Sequence, residues 1–336
     1  MRTTLDELVG RKVLLVASTG GHLHQLNRLV PRLGVSPDSE WLTFDTPQSR
    51  SLLEGKTVHY VPYVAPRDWR NMVRAWWRTR QLRREFDVAV STGAGLALSV
   101  LPSMLLHRRK AVFIESISRV NGPSVTGRVL AKLPGIGLFA QHAWAIGPWQ
   151  QGPSVLSTYA AQLPAVRAQL PEPRRIFVTL GTIKPYRFDR MVELVKDYVD
   201  ARPGVEVRWQ LGATVRDDLP GEVYPEMGSV EFRESIDWAD VVVAHSGVGV
   251  AMGILEAGKV PVLLARELEL QEHVDGHQRQ IFGYLLERGL AADAQQVFRS
   301  PQELARVAAT TVRCADQLED ADEVAEVADT TVSSMG

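Results

Sequence analysis

Apolar residues along this 336-residue chain recur in short runs, and several of these runs end in glycine-rich turns. Short aliphatic and β-branched runs bounded by glycine are typical of strands buried in a sheet. Joints of strand, glycine turn and helix are predicted at Val13–Gly21, Val88–Gly95, Ile176–Thr182 and Val241–Gly249. Because the joints in each half have a similar spacing, the pattern predicts an α/β protein of two Rossmann-like domains that face one another across a cleft.

A boundary between the two domains is predicted where prolines concentrate, between Gly147 and Arg175. The last helix of the second domain is predicted over Pro301–Ala315. The predicted parts are an N-terminal domain at 1–150, a linker at 151–174, a C-terminal domain at 175–315, and an acidic helix with a disordered tail at 316–336.

The longest uncharged run, Val88–His107, approaches the length of a transmembrane helix. It contains glycines and a proline, so we predict a strand, a loop and a helix instead of a membrane span. No basic segment followed by an apolar core opens the chain, and no signal peptide is expected. The single cysteine, Cys314, excludes an internal disulfide framework. These features predict a cytoplasmic protein.

Charge is distributed unevenly, although the net charge of the chain is only −1. Residues 1–175 contain 23 Lys and Arg against 11 Asp and Glu, whereas residues 176–336 contain 15 against 28. The basic first half is therefore predicted to face an anionic partner, either a membrane surface or a phosphorylated acceptor. No nucleic acid is expected as a partner.

A basic helix is predicted over Arg67–Arg84, with its tryptophans and other apolar residues at helical spacing on one face. An interfacial membrane helix needs this combination, so we expect peripheral attachment to the inner face of the cell membrane. The residues assigned to the membrane surface are Trp69, Arg70, Val73, Arg74, Trp76 and Trp77. The pattern also fits a helix packed on the core with a solvated basic face.

Two titratable residues of the first half are candidates for a catalytic base. His22 follows the Gly20-Gly21 pair at the carboxyl end of the first predicted strand, where open α/β sheets bind ligands. An imidazole suits general-base catalysis. Glu115 ends another predicted strand beside Ser116 and near Arg119. His22 could instead cap its turn, and Glu115 could instead pair with Arg119.

A phosphate site is predicted at the turn Ser246–Gly249, which leads from a strand into a helix. N–H groups at a helix N-terminus favour an anion such as a diphosphate, although the glycines alone could be a packing requirement. The polar loop that ends in His277-Gln278 could contact a sugar. That loop could also hold zinc at His273, Asp275 and His277, but structural zinc needs four ligands and a solvated loop is favoured.

Several motifs, in the same order along the chain, resemble known transferases. The second half resembles the catalytic subunit of the eukaryotic two-subunit UDP-GlcNAc transferase that adds the second sugar of the dolichol-linked oligosaccharide. The first half is similar to the membrane-anchoring subunit of that enzyme. Both halves together are similar to the peptidoglycan transferase that makes lipid II, a GT-B enzyme. The matching residues are Phe177–Thr182, His245–Gly249, Gly258-Lys259, Glu272–Asp275 and His277-Gln278 in the second half, and Ser18–His22, Glu115-Ser116, Arg119, Ser124, Thr126–Arg128 and Gln141 in the first.

The resemblance implies a fused bacterial GT-B glycosyltransferase of capsular or exopolysaccharide synthesis, working with membrane-bound assembly partners. It implies inverting transfer of a sugar, GlcNAc favoured, from a UDP-sugar to a polyprenyl-diphosphate-linked saccharide, without a metal or other cofactor. The implied donor residues are Gly181, Thr182, His245, Ser246, Gly247, Val248, Gly249, Glu256, His277 and Gln278. The implied acceptor residues are Gly20, Gly21, Gly93, Gly95, Ser116 and Arg119. Glu256 is expected to bind ribose because Gly253 stands where the family often has a glutamate.

Three other functions use the same features. Gly247, Gly249 and Gly253 form a variant dinucleotide loop, which with Glu267 or Glu269 would suit an NADP-dependent oxidoreductase. A UDP-sugar epimerase has a similar two-domain shape. A non-catalytic subunit that binds a nucleotide sugar or recruits a partner is the third.

Overall fold

The computed structural model describes residues 2–61, 73, 77, 79–80, 82–144, 146–164, 170–182, 184–272 and 277–314. The chain divides into two compact units, Met1–Leu156 and Ser157–Gly336. Each unit has its own parallel sheet and its own hydrophobic core. The segment predicted as a linker begins in the first unit and ends in the second, and the predicted domain limits stay a prediction.

The first unit is built on a seven-stranded parallel sheet. Its strands are β1 (Leu14–Ala17), β2 (Glu40–Phe44), β3 (Val58–Val61), β4 (Val88–Gly93), β5 (Lys110–Ile114), β6 (Ile136–Ala140) and β7 (Gln150–Gln151). The strand order is β3-β2-β1-β4-β5-β6-β7. Because the order reverses between β1 and β4, the loops after these two strands flank the point where such sheets bind ligands.

Helices of the first unit connect successive parallel strands. They are α1 (Gly21–Leu33), α2 (Pro47–Leu52), α3 (Leu82–Glu85), α4 (Gly95–Leu106) and α5 (Val125–Ala131). The uncharged run Val88–His107 is thus a strand followed by a helix, as predicted. No helix in the described part of the chain is long and apolar enough to cross a membrane.

The second unit repeats the strand order of the first. Its main sheet contains β9 (Arg175–Thr179), β10 (Glu206–Gln210), β11 (Glu222–Tyr224), β12 (Val241–His245), β13 (Val262–Leu264) and β14 (Ala292–Asp293), while β8 (Tyr159–Gln162) and β15 (Thr311–Cys314) form a separate antiparallel pair. The order in the main sheet is β11-β10-β9-β12-β13-β14, with all pairs parallel. The reversal here lies between β9 and β12.

The helices of the second unit are α6 (Asp189–Asp200), α7 (Ser229–Trp238), α8 (Val248–Glu256), α9 (His277–Glu287), α10 (Ala294–Val297) and α11 (Pro301–Ala309). Large side chains such as Trp209 and Phe188 fill the core and have no exposed surface. The sheet orders of the two units therefore match the predicted pair of Rossmann-like domains.

One predicted helix is shorter than expected. The helix predicted over Pro301–Ala315 ends at Ala309, and Thr311–Cys314 forms β15 instead. β-branched residues at 310–312 favour the extended backbone, and pairing with β8 supplies the backbone hydrogen bonds that a helix would have made. The acidic helix and tail predicted at 316–336 lie outside the described residues.

Candidate active site

His22 lies at the start of α1, against the end of β4. Its Nδ1 is 2.8 Å from the carbonyl oxygen of Thr92, and the Thr92 hydroxyl donates to the carbonyl oxygen of His22 at 2.7 Å. A carbonyl oxygen only accepts, so in the neutral ring Nδ1 carries the proton and Nε2 is an acceptor. A histidine oriented in this way can take a proton from a hydroxyl group.

The environment of His22 keeps its imidazole neutral. Burial lowers the pKa of His22 below the ordinary histidine value, and the positive charge of Arg119 lowers it further. The hydrogen bond to the Thr92 carbonyl raises the pKa of His22, but by less than burial lowers it. His22 as a whole residue is half-buried.

Glycines bring the turns after β1 and β4 together around His22. A β-carbon on Gly93 would lie 3.1 Å from two atoms of the His22 ring, and its φ of +112° is one that side-chain-bearing residues rarely adopt. Gly20 precedes α1 and donates its N–H to Gln48 at 2.8 Å. The predicted acceptor residues Gly20, Gly21 and Gly93 therefore lie close to His22, and Gly95 is the first residue of α4.

Glu115 is buried, and its carboxylate is engaged by neighbouring donors. Its Oε2 accepts from the Ser124 N–H at 2.8 Å and from the Ser124 hydroxyl at 2.9 Å, and its Oε1 accepts from the Ser116 N–H at 3.0 Å. Burial raises the pKa of Glu115, and these hydrogen bonds partly offset that rise. The carboxylate thus joins the loop after β5 to the start of α5, which favours His22 over Glu115 as the base.

Sequence reasoning missed Gln25, a buried amide on α1. Its Oε1 accepts from the Ile117 N–H at 2.9 Å and from Gln141 Nε2 at 3.2 Å, and its Nε2 donates to the Ser116 hydroxyl at 3.2 Å. Gln25 therefore fixes the loop that carries Ser116 and Arg119 to the helix that begins beside His22. The available signal was an amide among the leucines that α1 buries.

In the second unit, the turns after β9 and β12 meet at His245. A β-carbon on Gly181 would lie 2.6 Å from Cε1 of His245, and one on Gly247 would lie 2.4 Å from Nε2. A β-carbon on Gly212 would lie 2.0 Å from the carbonyl oxygen of Gly181. Gly181 and Gly247, one in each of these turns, are thus required by close packing against His245. Thr182 directly follows Gly181 in the chain.

The N-terminus of α8 follows the turn at Ser246 and Gly247. Its first residues, Val248 and Gly249, have N–H groups with no acceptor within the helix. Ser246 is 1% exposed, and its hydroxyl has no hydrogen-bond partner in the part of the chain that the structure describes. An unsatisfied buried hydroxyl beside the N–H groups of a helix N-terminus fits the oxygens of a phosphate.

The structure does not bring Glu256 to this turn. Glu256 is the last residue of α8, about 10 Å along the helix axis from Gly249, and its Oε1 accepts from the Tyr159 hydroxyl at 3.2 Å. Gln278 does lie near the carboxyl end of β13, where its Oε1 accepts from the Arg266 N–H at 3.4 Å. His277 is the first residue of α9.

The zinc alternative falls largely on residues 273–276, which lie outside the described part of the chain. Among the described residues, no three His, Cys, Asp or Glu side chains are grouped to hold a metal ion. Of the residues assigned to a membrane surface, Trp69, Arg70, Arg74 and Trp76 also lie outside the described residues. Val73 and Trp77 are helical and are 47% and 55% exposed.

Known proteins match both units together. No family model matches the chain. The chain is 25% identical over 334 residues to the UDP-N-acetylglucosamine--N-acetylmuramyl-(pentapeptide) pyrophosphoryl-undecaprenol N-acetylglucosamine transferase of Chromohalobacter salexigens, covering 90% of this chain and 88% of that protein. MurG of Acinetobacter baumannii superimposes with a TM-score of 0.52 at 15% identity, covering 95% of this chain and 98% of that one. The chain has the GT-B fold.

Two further structures show that proteins with different activities share this fold. The glycosyltransferase SnogD from Streptomyces nogalater matches with a TM-score of 0.51 at 16% identity, over 97% of this chain and 100% of that one. The UDP-GlcNAc 2-epimerase of Neisseria meningitidis matches with a TM-score of 0.52 at 10% identity, over 96% of this chain and 99% of that one.

The predicted α/β class, GT-B fold, similarity to lipid II-forming transferases and glycosyltransferase class are confirmed.

Proposed function

We propose that this chain is an inverting glycosyltransferase that moves a sugar, GlcNAc favoured, from a UDP-sugar to a polyprenyl-diphosphate-linked saccharide. The similarity over 90% of the chain to a transferase of UDP-N-acetylglucosamine and a pyrophosphoryl-undecaprenol acceptor supports these substrate classes. The observation that carries the mechanism is the hydrogen bond from His22 Nδ1 to the Thr92 carbonyl, which leaves Nε2 as a proton acceptor.

The reaction is a single displacement at the anomeric carbon. Nε2 of His22 takes the proton of the acceptor hydroxyl as the hydroxyl oxygen forms its bond to the anomeric carbon. The bond from that carbon to the diphosphate oxygen breaks, and UDP leaves with the electron pair. One displacement inverts the configuration. The N-terminus of α8 and the Gly181-Thr182 turn stabilise the charge that develops on the diphosphate, without a metal.

The setting of the reaction is the second part of the proposal. We place the enzyme in cell-surface polysaccharide synthesis, capsular or exopolysaccharide, at the inner face of the membrane and with membrane-bound assembly partners. The net charge of +12 in residues 1–175 supports attraction to an anionic membrane and to a diphosphate-linked acceptor. The exposed side chains of Val73 and Trp77 support contact with the membrane interface.

An epimerase has the same fold, so the fold alone does not separate the two activities. The sequence similarity to a transferase favours transfer. The experiment supplies UDP-GlcNAc to the purified chain with and without a polyprenyl-diphosphate-linked saccharide, each with and without EDTA. Transfer that needs the acceptor and persists in EDTA supports the proposal. Conversion of UDP-GlcNAc without an acceptor would support an epimerase, and no turnover with UDP binding would support a non-catalytic subunit.

The base assignment is tested by His22→Ala, with His107→Ala at the far end of α4 as the control. His22→Ala should lower kcat by about 10²- to 10⁴-fold, the usual contribution of a general base, and should leave the Kd of UDP unchanged. His107→Ala should change neither quantity. Equal losses of turnover and of UDP affinity in His22→Ala would contradict the assignment.

A further inference from the structure

Arg266 is a buried cation at the carboxyl end of β13. It is 1% exposed, and its guanidinium donates to four backbone carbonyl oxygens. Nη2 lies 2.6 Å from the carbonyl oxygen of Leu180, and Nη1 lies 2.8 Å from that of Glu272 and 3.2 and 3.3 Å from those of Arg187 and Tyr186. Burial lowers the pKa of Arg266 to about 10, so the side chain stays charged at physiological pH.

The four carbonyls belong to two loops at the carboxyl edge of the sheet, the one between β9 and α6 and the one after β13. Leu180 directly precedes the Gly181-Thr182 turn, Tyr186 and Arg187 precede α6, and Glu272 belongs to the loop after β13. A guanidinium presents several N–H donors in one plane, so a single arginine can hold both loops. A lysine ammonium group has all its N–H donors on one atom and could not reach all four of these carbonyl oxygens.

The backbone of Arg266 adds a further connection. Its N–H donates to Oε1 of Gln278 at 3.4 Å. One residue therefore links the turn assigned to the diphosphate with the side chain assigned to the donor sugar. The loop after β13 is also fixed from another side, because Arg190 Nη2 on α6 lies 2.8 Å from Oε2 of Glu272.

We propose that Arg266 is a positioning residue of the nucleotide-sugar site. It holds the Gly181-Thr182 turn, through the carbonyl of Leu180, at a fixed position relative to the loop after β13 and to Gln278. Arg266 does not itself touch the donor. Desolvating a cation is unfavourable, and here the compensating bonds all go to loop backbone, as a clamp requires. This inference rests on the proposed function, because the loops matter for affinity only if they bind a UDP-sugar.

Lys259 offers a matched control before the amino end of the same strand. Its Nζ donates to the carbonyl oxygens of Ile236, Asp237 and Ala239 at 2.5, 3.0 and 2.5 Å, at the end of α7. Like Arg266, it is a cation bonded to backbone carbonyls. Unlike Arg266, it makes no hydrogen bond to a residue assigned to the donor in the part of the chain that the structure describes. Lys259→Met therefore removes a similar set of hydrogen bonds at the opposite end of β13.

The test compares Arg266→Met, Arg266→Lys and Lys259→Met by calorimetric titration with UDP, at a temperature where circular dichroism finds each variant folded. Arg266→Met should weaken UDP binding on the order of 10- to 100-fold, because displaced loops misplace the groups that hold the ligand. Arg266→Lys should weaken it less. Lys259→Met should lower Tm and leave the Kd of UDP unchanged. In turnover, the Arg266 variants should raise KM for the donor and not for the acceptor.

The outcomes separate the two proposals. A wild-type chain that does not bind UDP would overturn the proposed function and this inference with it. If wild-type protein binds UDP and both Arg266 variants bind it equally well, the inference alone fails. It fails as well if Lys259→Met weakens UDP binding as much as Arg266→Met does. Should Arg266→Met not fold, the comparison of Arg266→Lys with Lys259→Met decides.

Discussion

The imidazole of His245 occupies the space that a β-carbon on Gly181 would need, because such an atom would lie 2.6 Å from Cε1 of His245. Gly181 follows β9 and His245 ends β12, and these neighbouring parallel strands flank the point where the strand order reverses. Ligands of open α/β sheets bind at this point. The contact between Gly181 and His245 therefore sets the spacing of the two turns assigned to the diphosphate.

Gly181→Ala should raise the Kd of UDP by more than about tenfold, which corresponds to a loss of more than about 1.4 kcal/mol of binding free energy. The new methyl group would meet the His245 ring, and the φ of +78° is strained for alanine. Gly204→Ala is the control, because Gly204 has a φ of +97° and nothing within 4 Å of its added β-carbon. It should lower Tm without changing the Kd of UDP in a calorimetric titration. Equal losses of affinity in both variants would contradict the role of the contact.

Thr92→Val should lower stability by about 1 kcal/mol and reduce kcat, because it removes the hydroxyl that donates to the His22 carbonyl. Thr43→Val in the same sheet is the matched control. Both threonines are fully buried, but the Thr43 hydroxyl has no hydrogen-bond partner within the described ranges. Its removal should be neutral or stabilising. Urea denaturation gives the two free energies of unfolding, and a similar loss in both variants would argue against a specific Thr92 contribution.

The features predicted correctly from sequence are those that local patterns determine. An apolar run that ends in glycine predicts a buried strand followed by a turn. The joints of strand, turn and helix at His22 and at Ser246 could therefore be predicted. The sequence does not fix contacts between distant residues. Arg266 bonds the carbonyl of Leu180, 86 positions away, and Gln25 meets Ser116, 91 positions away. Neither partner can be read from spacing, because the strand order that brings them together is set by the whole sheet.

Local propensity also failed where tertiary pairing decided the outcome. The helix pattern that begins at Pro301 continues past Ala309 in sequence, but the backbone after Thr310 pairs with β8. Glu115 shows a related limit. A carboxylate at the end of a strand suggested a base, and only the packed structure reveals that Ser116 and Ser124 already donate to it.

The acid limb of kcat/KM should lie below pH 6.5, the ordinary histidine value, because the pKa of His22 is lowered by burial. The base works only when neutral, so activity should persist to lower pH than an exposed histidine would allow. The limb should remain in Glu115→Gln and be absent from the residual activity of His22→Gln. An acid limb above pH 6.5, or one that moves only in Glu115→Gln, would contradict His22 as the base.

The same shift has a consequence for stability. Between the lowered folded pKa and pH 6.5, the unfolded chain binds more protons at His22 than the folded chain does. The free energy of unfolding should therefore fall as pH is lowered through this window. His22→Gln should reduce that slope in urea denaturation measured at several pH values. An unchanged slope would contradict the lowered pKa.

Gly127→Ala should lower the free energy of unfolding by about 1–3 kcal/mol, the usual effect of overpacking a core. An added β-carbon would lie 2.3 Å from Oε2 of Glu115 and 3.0 Å from Trp149. The carboxylate cannot move aside, because it is buried and Ser124 donates to it twice. Gly253→Ala, also inside a helix, has nothing within 4 Å of its β-carbon and should gain about 0.5–1 kcal/mol. Opposite signs in urea denaturation would support the close packing of α5 on Glu115, and a gain in both variants would refute it.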